Sequence, residues 1–138
     1  MQIRNIGLAG AMIAAVCLCA TAAGAGPECG LFQYRARIVA VYDGDSVTAD
    51  IDLGFNTWRH GEKLRLFGID APEMRGANKP AATLSRDRLR RRILGKDVMV
   101  CSIKDKTGKY GRYLAVLWDG DDNVNDWLIH EGLAVAYK

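Results

Sequence analysis

The sequence predicts a small β-barrel carrying two helices, an α+β domain, and three observations predict it. Short runs that are β-branched or strictly alternating recur between Leu31 and Trp118, separated by glycine and Asp-Gly turn signals. One long helical stretch, Pro80 to Leu94, falls after the third run, and a short one, Val124 to Glu131, falls after the fifth. No repeat, linker or low-complexity tract divides these elements, so one domain accommodates all of them.

Leu31 to Tyr42 is the first predicted strand, with Ile38, Val39 and Val41 β-branched. Asp43-Gly44 turns the chain. Val47 to Leu53 then alternates, with Val47, Ala49, Ile51 and Leu53 on one face and Thr48, Asp50 and Asp52 on the other, as a half-buried strand requires. Gly54 to Gly61 reads as a connection and Glu62 to Ile69 as the third strand, ending at Asp70. Pro72 and Gly76 keep the next segment irregular. Pro80 suits the first turn of a helix, where its missing N–H costs little, and Gly95 suits the stop. Ala82, Leu89 and Ile93 share one face of this helix. Arg86, Arg88, Arg90, Arg91 and Arg92 cover much of the rest, a pattern that fits a solvated face with buried stems better than a nucleic-acid surface. Lys96 to Ile103 and Tyr113 to Trp118 are the fourth and fifth strands, Asp119 to Asn123 is a turn, and Gly132 stops the final helix. Three strands, a helix, two strands and a helix is the order of an OB-type five-stranded barrel.

The first 25 residues read as a secretory leader. One early charge, Arg4, precedes an apolar stretch from Ile6 to Ala20, and Ala23-Gly24-Ala25 fits a small-residue cleavage signal, with Ala20-Thr21-Ala22 as a competitor. The stretch is short for a span of about 20 residues, and neither Cys17 nor Cys19 follows a convincing lipobox. Cleavage is expected to leave residues 26–138 in the periplasm or the medium, without stable membrane association. The formal net charge of the whole chain is only +3 at pH 7. That balance does not announce a polyanion partner, so any such attraction depends on where the charges sit. Two cysteines, Cys29 and Cys101, remain after cleavage. An oxidising compartment permits a bridge, worth roughly 4 kcal/mol by the chain-entropy argument; two unpaired thiols are the alternative. In an OB-type barrel the first strand neighbours the fourth, which makes Cys29 a reasonable partner for Cys101.

Three charged segments carry the candidate chemistry: Asp43-Gly44-Asp45-Ser46, Arg65-Leu66-Phe67-Gly68-Ile69-Asp70-Ala71-Pro72-Glu73, and Lys109-Tyr110-Gly111-Arg112. Asp45 after a turn and Asp70 at a strand end can converge on one hard cation, because oxygen-only donors favour Ca²⁺ or Mg²⁺. Taken singly, Asp45 is equally well a turn residue, Asp70 a strand terminator, Glu73 a surface carboxylate and Arg65 an outward-facing strand charge. Guanidinium groups suit phosphate oxygens by their fixed fork and permanent charge. His60 and His130 are poor site candidates. The chain has no P-loop and no zinc-type cysteine spacing, and Ser46 has no visible histidine partner.

In order and spacing these segments, with the closing Gly132-Leu133-Ala134, resemble the thermonuclease (staphylococcal nuclease-like) family, and the likeness runs from Arg37 to Tyr137. The resemblance implies Ca²⁺ at Asp45, Asp70 and the backbone carbonyl of Ala71. It implies Glu73 as the general base or water-positioner, and Arg65 and Arg112 as the phosphate-gripping arginines. Lys109 and Tyr110 match nucleotide-contacting positions, and Tyr110 and Tyr137 are placed to bracket a base or phosphate, with ordinary rim tyrosines as the plainer reading. The implied activity is an exported, monomeric, calcium-dependent phosphodiesterase acting on DNA and RNA with little base preference and leaving 3′-phosphates. The loop from Glu73 to Pro80 is shorter than in the staphylococcal protein, and the chain stops at Lys138, without that protein's third helix. The alternative is a non-catalytic OB module that binds single-stranded nucleic acid or a protein partner.

Overall fold

The computed structural model describes residues 29–108 and 111–138, with residues 104–108 described by their backbone only. The expected leader, 1–25, and two of the expected substrate contacts, Lys109 and Tyr110, lie outside the described residues.

The strands are β1 (Gln33–Val41), β2 (Ser46–Asp52), β3 (Trp58–Leu66), β4 (Ile69–Asp70), β5 (Asp97–Gly108), β6 (Arg112–Asp119), β7 (Asp122–Asn123) and β8 (Val135–Ala136); the helices are α1 (Lys79–Ile93) and α2 (Val124–His130). The main sheet runs β3-β2-β1-β5-β6-β7, and a parallel pairing of β3 with β6 closes it into a five-stranded barrel. Short β4 and β8 pair separately, antiparallel. This is the OB-type α+β architecture expected from the order of elements.

The core follows from the alternation. Ala36 and Ile38 point inward from β1; a register shift between Ile38 and Ala40 then resets the pattern, so that Val41 also turns inward. Inward residues of the barrel meet Leu89 and Ile93 of α1 and Val124 and Leu128 of α2, all fully buried. Asn123 caps α2, its side chain accepting from Asn125 N and Asp126 N.

Four of the five helix arginines are partnered rather than forming a free basic face, and three of them tie α1 to other parts of the chain. Arg90 donates twice to the Val41 carbonyl (3.1 and 2.9 Å), Arg88 pairs with Glu131, and Arg86 pairs with Asp87. Arg92 pairs with Asp122 at 2.8 Å while lying over the Trp127 ring at 4.5 Å. Cys29 and Cys101 are bridged, with Cα atoms 5.3 Å apart, a separation ordinary for disulfides. The bridge sits at the β1–β5 seam, where Gln33 faces Cys101 and Ser102 N donates to Phe32 O at 2.9 Å.

Several boundaries differ from expectation. β3 begins at Trp58, not Glu62, because residues 58–61 are exposed on both faces and leave no alternation to read. The preceding connection is a tight hairpin whose tip, Gly54, Phe55 and Asn56, is wholly left-handed. β3 also stops at Leu66. Phe67-Gly68 turns the chain, with Gly68 at φ 77°, and Asp70 belongs to the separate β4 opposite Val135 rather than to the end of the third strand. β5 continues past Ile103 to Gly108, pairing with β6 again at Thr107 and Gly108 after a register shift. Asp119 to Asn123 is a hairpin that includes β7, not a bare turn.

Candidate active site

The turn that carries Asp45 is built by its own side chains and by a close approach. Asp45 N donates to Asp43 Oδ1 at 3.0 Å, an Asx-type turn. Gly44 lies against α1: a Cβ there would overlap the Ser85 hydroxyl and come within 2.7 Å of the Ala71 side chain. Only glycine lets the turn sit this deep. The result is a nearly buried Asp45 carboxyl, 5% exposed, at the mouth of the barrel.

Sheet register aims the other groups at it. Ser46 faces Arg65 across β2–β3, and Arg65 faces Leu114 across β3–β6. Arg112, two residues before Leu114, is therefore on the same face as Arg65. Arg65 is the centre of the cluster. Its Nη1 pairs with Asp45 Oδ2 and its Nη2 donates to Asp70 Oδ1 at 2.9 Å, so one guanidinium spans both carboxylates. Arg112 Nη1 donates to Ser46 Oγ at 2.7 Å, and that hydroxyl donates to Asp45 Oδ1 at 3.1 Å. Ala71 contributes its N–H, which donates to Asp45 Oδ2 at 2.8 Å.

Burial pushes the Asp45 carboxyl up to about 6; the Ala71 N–H opposes the rise, the nearby Asp43 charge adds to it, and Arg65 opposes it. This carboxylate is costly to ionise with only the protein around it, and an added cation would relieve that cost.

Thus the structure brings Asp45, Asp70, Arg65, Arg112 and the Ala71 backbone to one place. Glu73 is exposed in the irregular segment after β4, three residues beyond Asp70, and makes no hydrogen bond or ion pair among the described residues. Tyr137 lies on the β4–β8 side, where its N–H donates to Gly68 O at 2.9 Å and its ring is exposed. His60 pairs with Asp50 on the outer face of the sheet. Among the described residues no group of three or more His, Cys, Asp or Glu side chains is arranged to hold a metal. Two carboxylates would need further oxygens from elsewhere, and their all-oxygen chemistry fits a hard cation.

Two residues of the site region, Ser85 and Asn125, were not singled out from sequence, and the role of a third was not foreseen: Ser46, set aside as a nucleophile for want of a histidine partner, links Arg112 to Asp45. Ser85 floors the turn under Gly44. Asn125, buried in α2, donates to Phe67 O (2.9 Å) and Ala115 O (3.1 Å) and accepts from Leu117 N (3.1 Å), tying the turn after β3 to β6. An amide on the apolar side of a short helix was the one available signal for Asn125.

A family model described as staphylococcal nuclease homologue matches residues 63–138. The chain belongs to this family. The staphylococcal nuclease homologue match takes in Arg65, Asp70, Glu73 and Arg112, while Asp45 lies upstream of it. The thermonuclease of Staphylococcus hyicus is 31% identical over 103 residues, covering 72% of this chain and 57% of that protein. Protein ParB of Escherichia coli is 31% identical over 115 residues, 77% of this chain and 59% of its own length. A probable endonuclease LCL3 of Candida glabrata is 40% identical over 82 residues, 54% of this chain and 31% of its own length. The chain therefore spans between about a third and three-fifths of these relatives.

Proposed function

We propose that this chain is an exported, calcium-dependent phosphodiesterase that hydrolyses DNA and RNA with little base preference. The observation that carries the reading is the sharing of Arg65 between Asp45 and Asp70, with Arg112 held one hydroxyl away from the same carboxylate. Such a cluster presents two guanidinium groups and a hard-cation donor set on one face. Relatives named thermonuclease and probable endonuclease support the same reading. Asp45, Asp70 and the Ala71 carbonyl would hold the cation, which when bound supplies charge neutralisation at the phosphate and a more acidic water.

In this reading, Arg65 and Arg112 grip the phosphoryl oxygens and stabilise the charge that grows on them. Arg65 gives up part of its contact with the carboxylates to do so. Ser46 fixes the resting position of Arg112. Glu73, free of partners among the described residues, orients the attacking water and takes its proton. The water oxygen joins phosphorus, the P–O5′ bond breaks, and the 5′ oxygen leaves with the bonding pair and takes a proton from solvent water, so the phosphate stays on the 3′ side. Tyr137, with Lys109 and Tyr110, contacts the nucleotide. Residues 1–25 act as the cleaved leader, and the processed chain works as a monomer.

The test is incubation of the folded protein with single-stranded DNA and with RNA, with Ca²⁺ or with chelator, and analysis of product ends by mass. Calcium-dependent cleavage with 3′-phosphate ends is expected. A folded sample without such cleavage rejects the reading. Glu73→Gln separates the alternative, a non-catalytic single-strand or partner binder: a nuclease loses turnover and still binds, whereas a pure binder is indifferent.

A further inference from the structure

A trough of about 250 Å³ opens on the flank of the candidate site, lined by Tyr42, Ser46, Val47, Thr48, Lys63 and Arg112. Its layout follows from the sheet. Ser46 and Thr48 are two residues apart on β2 and therefore share a face, about 6.8 Å apart along the strand. Thr48 faces Lys63 directly across β2–β3. Tyr42, just past β1, donates its N–H to Ser46 O at 2.9 Å, which brings its ring alongside the row.

Exposed tyrosines and lysines are ordinary on surfaces. These two differ in position and in what surrounds them. The Tyr42 residue is 76% exposed, and Lys63 is exposed. Among the described residues neither side chain has a hydrogen bond, an ion pair or a ring contact. The exposed cations of the neighbouring sheet face are, by contrast, matched to carboxylates: Arg35 with Asp52, Arg37 with Asp97 and Arg59 with Glu62. The trough is also continuous with the cluster, since its inner wall is the Arg112–Ser46 pair that reaches Asp45. An aromatic face, an unmatched ammonium and a hydroxyl, running outward from a phosphate-gripping arginine in steps close to the repeat of an extended single strand, form a nucleotide cradle.

We infer that this trough is a second nucleotide subsite, which holds the nucleotide adjoining the cleaved phosphate on the side opposite Tyr137. Tyr42 stacks on its base, Lys63 takes the next phosphate along the strand, and Thr48 bonds to the backbone between them. The inference rests on the nuclease reading above and adds to it that the substrate is a polynucleotide gripped on both sides of the scissile bond.

The experiment measures binding, not turnover. A fluorescein-labelled hexathymidylate is titrated into the full chain carrying Glu73→Gln, with Ca²⁺, by anisotropy at several salt concentrations. Adding Tyr42→Ala is expected to weaken binding about 5- to 100-fold, while Tyr42→Phe retains it, because stacking needs the ring and not the hydroxyl. Adding Lys63→Ala is expected to weaken binding and to reduce the salt slope by about 0.7, the share of one single-strand phosphate. Arg91→Ala, which removes an exposed charge from α1, is expected to leave the slope unchanged. Hexamer affinity and salt slope that are indifferent to Tyr42 and Lys63, while the parent binds well, overturn the subsite and leave the nuclease reading standing. Failure of the parent itself to bind overturns both.

Discussion

Two regions of this barrel are rich in arginine–carboxylate pairs, and they are built in opposite ways. On the outer face of β1, β2, β3 and β5, the cationic partner of each pair is exposed and each charge has its own mate: Arg35–Asp52 at 2.7 Å, Arg37–Asp97 at 2.9 Å, His60–Asp50 at 3.0 Å. At the barrel mouth, Arg65 is largely buried and divided between Asp45 and Asp70. The outer pairs hold their carboxyls below the usual range: Asp50 chiefly through the Gly61 N–H, Asp52 through the Gly54 N–H and Asp97 through Arg37. Burial drives Asp45 the other way. Matched pairs in water contribute little and ask for nothing more. A shared, buried pair is left with unmet demand, and that is where a cation or a phosphate has something to gain.

The largest expected effect concerns activity. Arg65→Ala or Arg112→Ala should lower kcat/KM on single-stranded DNA by about 10²–10³-fold, whereas Arg37→Ala on the outer face should leave it within a factor of about two. Equal losses at both places would erase the contrast. Gly44→Ala comes next. With the Ser85 hydroxyl and the Ala71 side chain in the way, it should cost about 1–3 kcal/mol in denaturant unfolding and lower calcium response with it.

Calcium should raise stability through the mouth alone. For a Kd of about 10⁻⁴–10⁻³ M, about 10 mM Ca²⁺ should add about 1.4–2.7 kcal/mol, and Asp45→Ala should abolish the gain while Asp97→Ala keeps it. A pH series sharpens the comparison further. Folded Asp45 keeps its proton to about 6 and the unfolded chain releases it near 3.8. In that window the folded state binds more protons, so metal-free stability should fall as pH rises from about 4 to about 6. Asp50, Asp52 and Asp97, depressed in the folded state, stabilise above their unfolded value and lose that contribution as pH falls below about 4. Asp45→Asn should flatten the upper limb and Asp97→Asn the lower one, read as thermal midpoints in metal-free buffer. The smallest effect is expected from Arg35→Ala, which should barely move the midpoint.

The barrel was legible wherever one face of a strand is buried. Val47 to Ile51 and the apolar face of α1 announce themselves because their periodicity records a core, although Leu53, the last of the alternating set, lies exposed past the end of β2. Trp58 to Gly61 is a paired stretch without a buried face, held by its ladder and by side-chain pairs such as Arg59–Glu62 and His60–Asp50, so no alternation in the sequence records it. The break at Phe67-Gly68 moved Asp70 onto a separate strand for a similar reason: its partner, Val135, lies far along the chain. At the site, the residue types and their order were readable as a family resemblance. The sharing of Arg65, the Ser46 link and the contact between Gly44 and Ser85 were not, since each depends on which strands become neighbours.

The parallel seam between β3 and β6 sets when these groups can meet. Arg65 and Arg112 share a face only because Leu64, Arg65 and Leu66 lie beside Tyr113, Leu114 and Ala115. A chain whose earlier strands have paired but whose sixth has yet to dock holds Asp45 and Arg65 without Arg112. Recovery of catalytic turnover during refolding should therefore lag the return of hydrogen-exchange protection in β1 to β3 and coincide with that of β6, making enzymatic competence a clock for the last step of assembly.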